Sequence, residues 1–290
     1  MTEEIIKDDY IKSKLAAGSF AVYNNKWGNP SATQNITLSN SKVIANWNNS
    51  GSGWNYPEVV AGSDRYCHSM TWAVFPVQKQ NITTLTATLI YKFTQKPTTG
   101  SWWNFAFDIY FNNQTSGCYS YSNCLYNFMI WIHGLDKFAA GTHISDITDS
   151  FGNTWSYYKR SSSPPWDVFV LKNRNQIPYE PTANTQYNIS IDIKKFIDTI
   201  TGISGSWYLP GLELGCENSG SLGNTSGAIE IDGYSLNVNG QSISIGTPVP
   251  PPTTKYSYKP ACRVIADQNG TYNSIAEATT AAEASGYIVV

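Results

Sequence analysis

The chain has 290 residues, room for one large all-β domain with appendages or for two smaller domains. Charged residues are 14% of it and the net charge is −2, with no long basic run. Binding to a phosphate backbone requires clustered Lys and Arg, so nucleic acid is excluded as the expected partner.

Aromatic residues also reach 14%, with 10 Trp and 19 Tyr. This composition suits a protein that presents flat rings to a neutral polar ligand. Sugars are such ligands, because their C–H faces stack on rings while their hydroxyls seek amides and carboxylates. No apolar run reaches the ~18 residues of a membrane span, so a membrane is not an expected partner. The acidic opening, Met1 to Tyr10, lacks the apolar core of a secretory signal. The expected location is therefore extracellular or on a virion surface, reached with a leader already removed or by lysis.

Residues 1–18 read as an N-terminal arm, either a short helix or a flexible segment. From residue 19 to 246 strands dominate. Leu85, Ala87, Leu89, Tyr91 and Phe93 alternate with Thr84, Thr86, Thr88 and Lys92. In the next segment Trp103, Phe105, Phe107, Ile109 and Phe111 point one way, and Asn104, Ala106, Asp108 and Tyr110 the other. Tyr126 to Ile132 places Asn127, Met129 and Trp131 on one face. Tyr187, Ile189, Ile191 and Ile193 mark a further strand. Asp192 to Gly202 breaks the alternation: Ile193, Phe196, Ile197 and Ile200 have helical spacing, with Asp192 as cap and Gly202 as stop. Leu212 to Glu217 and Ala228 to Val238 are the last two strands of this region. Many strands with a single helix predict an all-β sandwich of two antiparallel sheets in the jelly-roll style.

Residues 247–259, opening Thr-Pro-Val-Pro-Pro-Pro, read as a Pro-rich linker. Residues 260–290 include an Ala-rich helix candidate too short to hold a core alone. Such a tail is expected to dock on this domain, on another copy or on a larger assembly. Of the five cysteines, Cys118 and Cys124 are close enough in sequence to bridge, and free thiols are the equal alternative. His68, His133 and His143 show no ligand spacing, so a metal site is not expected. No cofactor is expected.

Six short motifs occur in order between about residues 20 and 245. They are Asn24-Asn25-Lys26-Trp27-Gly28, Asn55-Tyr56-Pro57, Phe107-Asp108-Ile109, Asn127-Phe128-Met129-Ile130-Trp131, the helix after Asp192, and Leu214-Gly215-Cys216-Glu217. Together they resemble glycoside hydrolase family 12, whose members are retaining endo-β-1,4-glucanases and xyloglucanases. The resemblance implies a jelly roll with a concave, glucan-type cleft. It places the acid/base at Glu217, a supporting carboxylate at Asp108 and the nucleophile at Asn127, where the family has Glu. It places sugar contacts at Trp27, Tyr56, Met129 and Trp131.

A retaining pair requires two carboxyl groups ~5–5.5 Å apart, one to attack the anomeric carbon and one to protonate the leaving oxygen. An amide is neutral and a very poor nucleophile toward an acetal. The expectation is therefore a carbohydrate-binding domain, impaired in catalysis, that holds a β-glucan-like polysaccharide within a viral, phage or cell-surface assembly. The competing expectations are an active endoglucanase or xyloglucanase and a purely structural virion protein. Glu213 shares the face of Glu217 by alternation and is the alternative carboxylate. The bland reading of Trp27 and Trp131 is that both are core aromatics.

Overall fold

The computed structural model describes residues 4–7, 12–15, 19–39, 42–63, 72–99, 101–114, 123–134, 141–172, 177–246, 256–258 and 270–272. The chain divides into two units, Met1–Val249 and Pro250–Val290.

In the first unit the strands run β1 (Glu4–Ile6), β2 (Lys12–Leu15), β3 (Phe20–Asn25), β4 (Thr33–Ser39), β5 (Lys42–Asn49), β6 (Trp54–Gly62) and the short β7 (Val77–Gln78). They continue as β8 (Leu85–Gln95), β9 (Trp102–Phe111), β10 (Tyr126–Gly134), β11 (Thr142–Thr148), β12 (Thr154–Arg160), β13 (Trp166–Leu171) and β14 (Gln186–Asp192). Helix α1 (Ile193–Thr199) precedes β15 (Tyr208–Leu209), β16 (Gly211–Ser219), β17 (Thr225–Val238) and β18 (Gln241–Gly246).

Among the described residues, nine strands form one sheet in the order β11-β12-β13-β10-β9-β16-β6-β3-β2. Seven form the other, β1-β4-β5-β17-β8-β14 with β18 beside β17. The core lies between them. Phe105, Phe107, Ile109 and Phe111 of β9 join Leu85, Leu89, Tyr91 and Phe93 of β8 in one buried cluster. Each such side chain contributes ~1.5–3 kcal/mol by leaving water. Period-2 alternation then turns the intervening residues of β9 and β10 to the far face of the nine-stranded sheet, where the site lies.

Three features differ from the sequence reading. First, the N-terminal arm holds strands. β1 pairs with β4, and β2 pairs with β3. Both partners are otherwise edge strands with unpaired ladders, and Ile6 is buried when β1 docks. Second, the helix stops before Gly202. The Asp192 side chain accepts from Lys195 N at 3.2 Å, as a cap should, but the helix closes at Ile200. Gly202 serves packing instead, since a Cβ there would meet Tyr126 Cε2 at 2.6 Å. Third, one pair in the large sheet is parallel: β13 returns alongside β10 after the β11–β12 hairpin.

In the second unit, β19 (Tyr256–Tyr258) pairs antiparallel with β20 (Gly270–Tyr272). The end of the Pro-rich stretch is thus extended and paired. The Ala-rich helix candidate beyond β20 lies outside the described residues, as does Cys118. Cys124 is buried, and its thiol donates to the Tyr126 carbonyl at 3.3 Å. Among the described residues no helix is long and apolar enough to cross a membrane, and no group of three or more His, Cys, Asp or Glu is arranged to hold a metal.

Candidate functional site

The outward face of the nine-stranded sheet can be read row by row from the ladder. One row runs Glu213 (β16), Asp108 (β9), Met129 (β10), Val168 (β13) and Tyr158 (β12). The next holds Tyr110, Asn127, Trp166 and Arg160. A cavity of about 320 Å³ opens on this face, within the ~300–1,000 Å³ of ligand pockets. Asp108, Tyr110, Asn127 and Met129 line its floor, the segment from Arg160 to Trp166 forms one wall, and Glu217 reaches it from β16.

Asp108 is the hub. Asn127 Nδ2 donates to Asp108 Oδ1 at 2.8 Å, and the Tyr110 hydroxyl donates to Oδ2. Adjacent antiparallel strands bring the two motif residues together, because Asn127 is diagonal to Asp108 across the β9–β10 ladder. With its nitrogen committed to a carboxylate, the Asn127 amide keeps a fixed orientation, and it carries no negative charge.

Glu217 accepts from Asn104 Nδ2 at 2.8 Å. Its ladder partner on β9 is Asn104, whereas that of Asn127 is Tyr110, six residues further on. That is roughly 20 Å of extended strand. Both residues nevertheless line one cavity. Glu213 is the direct cross-strand neighbour of Asp108, but it is buried and lies outside the cavity lining.

The predicted sugar contacts separate by depth. Trp27 is 47% exposed and Met129 lines the cavity. Tyr56 and Trp131 are buried and do not line it. The Tyr56 ring lies across Gly215, where a Cβ would meet Tyr56 Cε2 at 2.9 Å. Its hydroxyl donates to the Ala106 carbonyl at 3.0 Å. Burial, and then the charges of Asp108, Glu58, Glu213 and Glu217, push the Tyr56 hydroxyl well above its usual pKa, so it stays a neutral donor. Trp131 packs with Met129, Val168 and Val170 beneath the cavity. The Asn-Asn-x-Trp-Gly motif orients Trp27: Asn25 donates to Glu58 Oε1 at 3.0 Å while its own oxygen accepts from Trp27 N at 3.3 Å. Gly28 N then bonds Trp54 O at 2.9 Å.

Sequence reading missed Tyr110 as an Asp108 partner, and it missed Arg160 and Trp166. Tyr110 was accessible, since it shares the face of Asp108 two residues on. Arg160 and Trp166 reach Asn127 only through the parallel β10–β13 pairing, which no local pattern encodes. The face also continues beyond Glu217 to Trp54 and Trp102, whose rings meet edge-on at 5.6 Å.

No protein-family model matches the sequence, and no curated protein matches it. Solved structures do. A metagenome-derived glycoside hydrolase family 12 endoglucanase superposes with a TM-score of 0.64 at 20% identity, over 82% of this chain and 98% of its own. Endoglucanase cel12A from Rhodothermus marinus gives 0.63 at 22% identity, over 83% and 100%. A family 12 xyloglucanase from Bacillus licheniformis gives 0.63 at 22%, over 81% and 100%. The chain therefore has the fold of the family 12 endoglucanases and xyloglucanases, a jelly roll of two main sheets with one α-helix among the described residues.

Proposed function

We propose that this chain binds a β-glucan-like polysaccharide along the cleft face and is impaired in cutting it. The observation that carries the reading is Asn127. A neutral amide, held by Asp108, occupies the cavity floor at the position the family resemblance gives to the nucleophile. Attack on an acetal requires a charged oxygen, and loss of a nucleophile that acts within a unit costs several orders of magnitude in rate. Binding needs no such charge: Trp27 is exposed for stacking, and Asp108, Asn127 and Glu217 offer polar groups to hydroxyls. The role fits a surface module on a virion, phage particle or cell, with the segment after Val249 as the attachment element.

The test pairs two measurements on the native chain: retention in gels carrying xyloglucan, mixed-linkage glucan or carboxymethyl cellulose, and release of reducing ends from the same polymers. Retention without sustained release is expected. Sustained release by the native sequence overturns the impairment, and retention on none of the polymers overturns the binding reading in favour of a structural role. Asn127→Glu is expected to raise release by roughly two orders of magnitude or more. A folded Asn127→Glu protein that stays inert means the cleft is not arranged for this chemistry.

A further inference from the structure

The flanks of the cavity differ in charge. On the β16 and β9 side stand Glu217 and Asp108. On the β12 and β13 side stands Arg160, its guanidinium 5.3 Å from the centre of the Trp166 ring and lining the same cavity as Asn127. Arg160 has no ion-pair partner among the described residues. Lys42, Lys92, Lys172 and Lys194 are all paired with carboxylates. Arg160 is therefore a cation placed against a binding wall and left uncommitted.

We propose that this flank is an anion-recognition subsite, and that the polysaccharide carries carboxylate-bearing sugars, uronic acid residues, read by Arg160. The inference rests on the glycan-cleft reading above and names the substrate class.

Four features carry it. A guanidinium presents a planar fork that matches a carboxylate in two parallel hydrogen bonds, and stacking on Trp166 holds that fork in place before the ligand arrives. Trp166 lines the cavity too, so the ring on which Arg160 rests is part of the same wall. The residue next to Trp166 across the ladder is Asn127, so the position where a glutamate would repel an anionic sugar is neutral. Finally, the acid on the cavity floor is already engaged: both oxygens of Asp108 accept hydrogen bonds, from Asn127 and Tyr110. Arg160 stands on β12, three strands from Asp108 on β9, and forms no ion pair with it or with Glu217.

The experiment compares cello-oligosaccharides with the same oligosaccharides oxidised at C6, which are β-1,4-linked glucuronates. The backbone is unchanged and only the charge differs. Calorimetry on the full chain is expected to show the oxidised form binding roughly tenfold tighter at low salt, the scale of one charge-assisted hydrogen-bond pair. The preference is expected to vanish near 1 M NaCl, where screening acts within ~3 Å. Arg160→Gln is expected to bring the ratio of the two affinities to about one, and Arg160→Lys to keep part of it as a point charge. Equal binding of the two forms by the native chain, or an undiminished ratio in Arg160→Gln, overturns the uronate proposal while leaving the glycan cleft standing. Binding of neither form overturns both.

Discussion

The two faces of the nine-stranded sheet each hold an aspartate gripped by two donors, and the two aspartates have opposite uses. On the core face, Asp167 of β13 is fully buried. Its Oδ2 accepts from Tyr126 at 2.9 Å and from Tyr157 at 2.7 Å, while Oδ1 has no partner. On the cleft face, Asp108 of β9 accepts from Tyr110 and Asn127 and borders the cavity. The donors are alike, but the surroundings are not. Around Asp167 the neighbours are Phe128 and Phe169, and no water can replace a lost partner. Burial and the bond to Asp167 raise both tyrosine hydroxyls well above their usual pKa, so they remain donors at every ordinary pH. A carboxylate at the bottom of a core is a tether; the same group on the floor of a cavity fixes the orientation of the Asn127 amide.

That contrast can be broken by substitution. Asp167→Ala strands two buried hydroxyls and leaves a cavity, so we expect a loss of about 3–5 kcal/mol in the urea unfolding free energy. Asp167→Asn, which keeps an acceptor, should recover part of it, and glycan retention by the folded protein should not change. Asp108→Ala should show the reverse balance. We expect about 1–2 kcal/mol of stability, since the cavity admits water, but roughly tenfold weaker retention in glycan affinity gels as Asn127 loses its orientation. If Asp108→Ala costs as much stability as Asp167→Ala with retention unaltered, the cleft aspartate is a second tether and the functional assignment fails.

The smallest effect belongs to a third acid, on the seven-stranded sheet. Burial pushes the Glu230 carboxyl up, but Lys42 and Lys92 outweigh it and hold it at about 2, below its ordinary 4.5. A depressed folded-state pKa stabilises the fold above the unfolded value, and that contribution is lost as pH falls from about 4.5 through 2. Glu230→Gln should flatten the unfolding midpoint across that window, by at most about 1 kcal/mol after solvent screening.

Much of the site was legible before the structure. Alternation alone put Asp108 and Tyr110 on one face of β9, and Asn127 with Met129 on one face of β10; the structure joins these four around one cavity. The aromatics were harder. Trp27 and Trp131 occupy equally suggestive motif positions, yet one is exposed and the other packs against Val168 and Val170. Exposure depends on what a neighbouring strand lays over a ring, and sequence spacing carries no such information.

The sequence by itself determined which face of each strand is apolar, that a sandwich results, and that a neutral amide stands where the family resemblance expects a carboxylate. These follow from period-2 geometry and residue chemistry, both local. Only the tertiary structure decided that Lys12–Leu15 and Glu4–Ile6 close the sheet edges, and that β13 runs parallel beside β10. It alone set Trp166 and Arg160 against Asn127. Register between distant strands is a long-range outcome of core packing, and it brings motif residues from separate strands to one cavity.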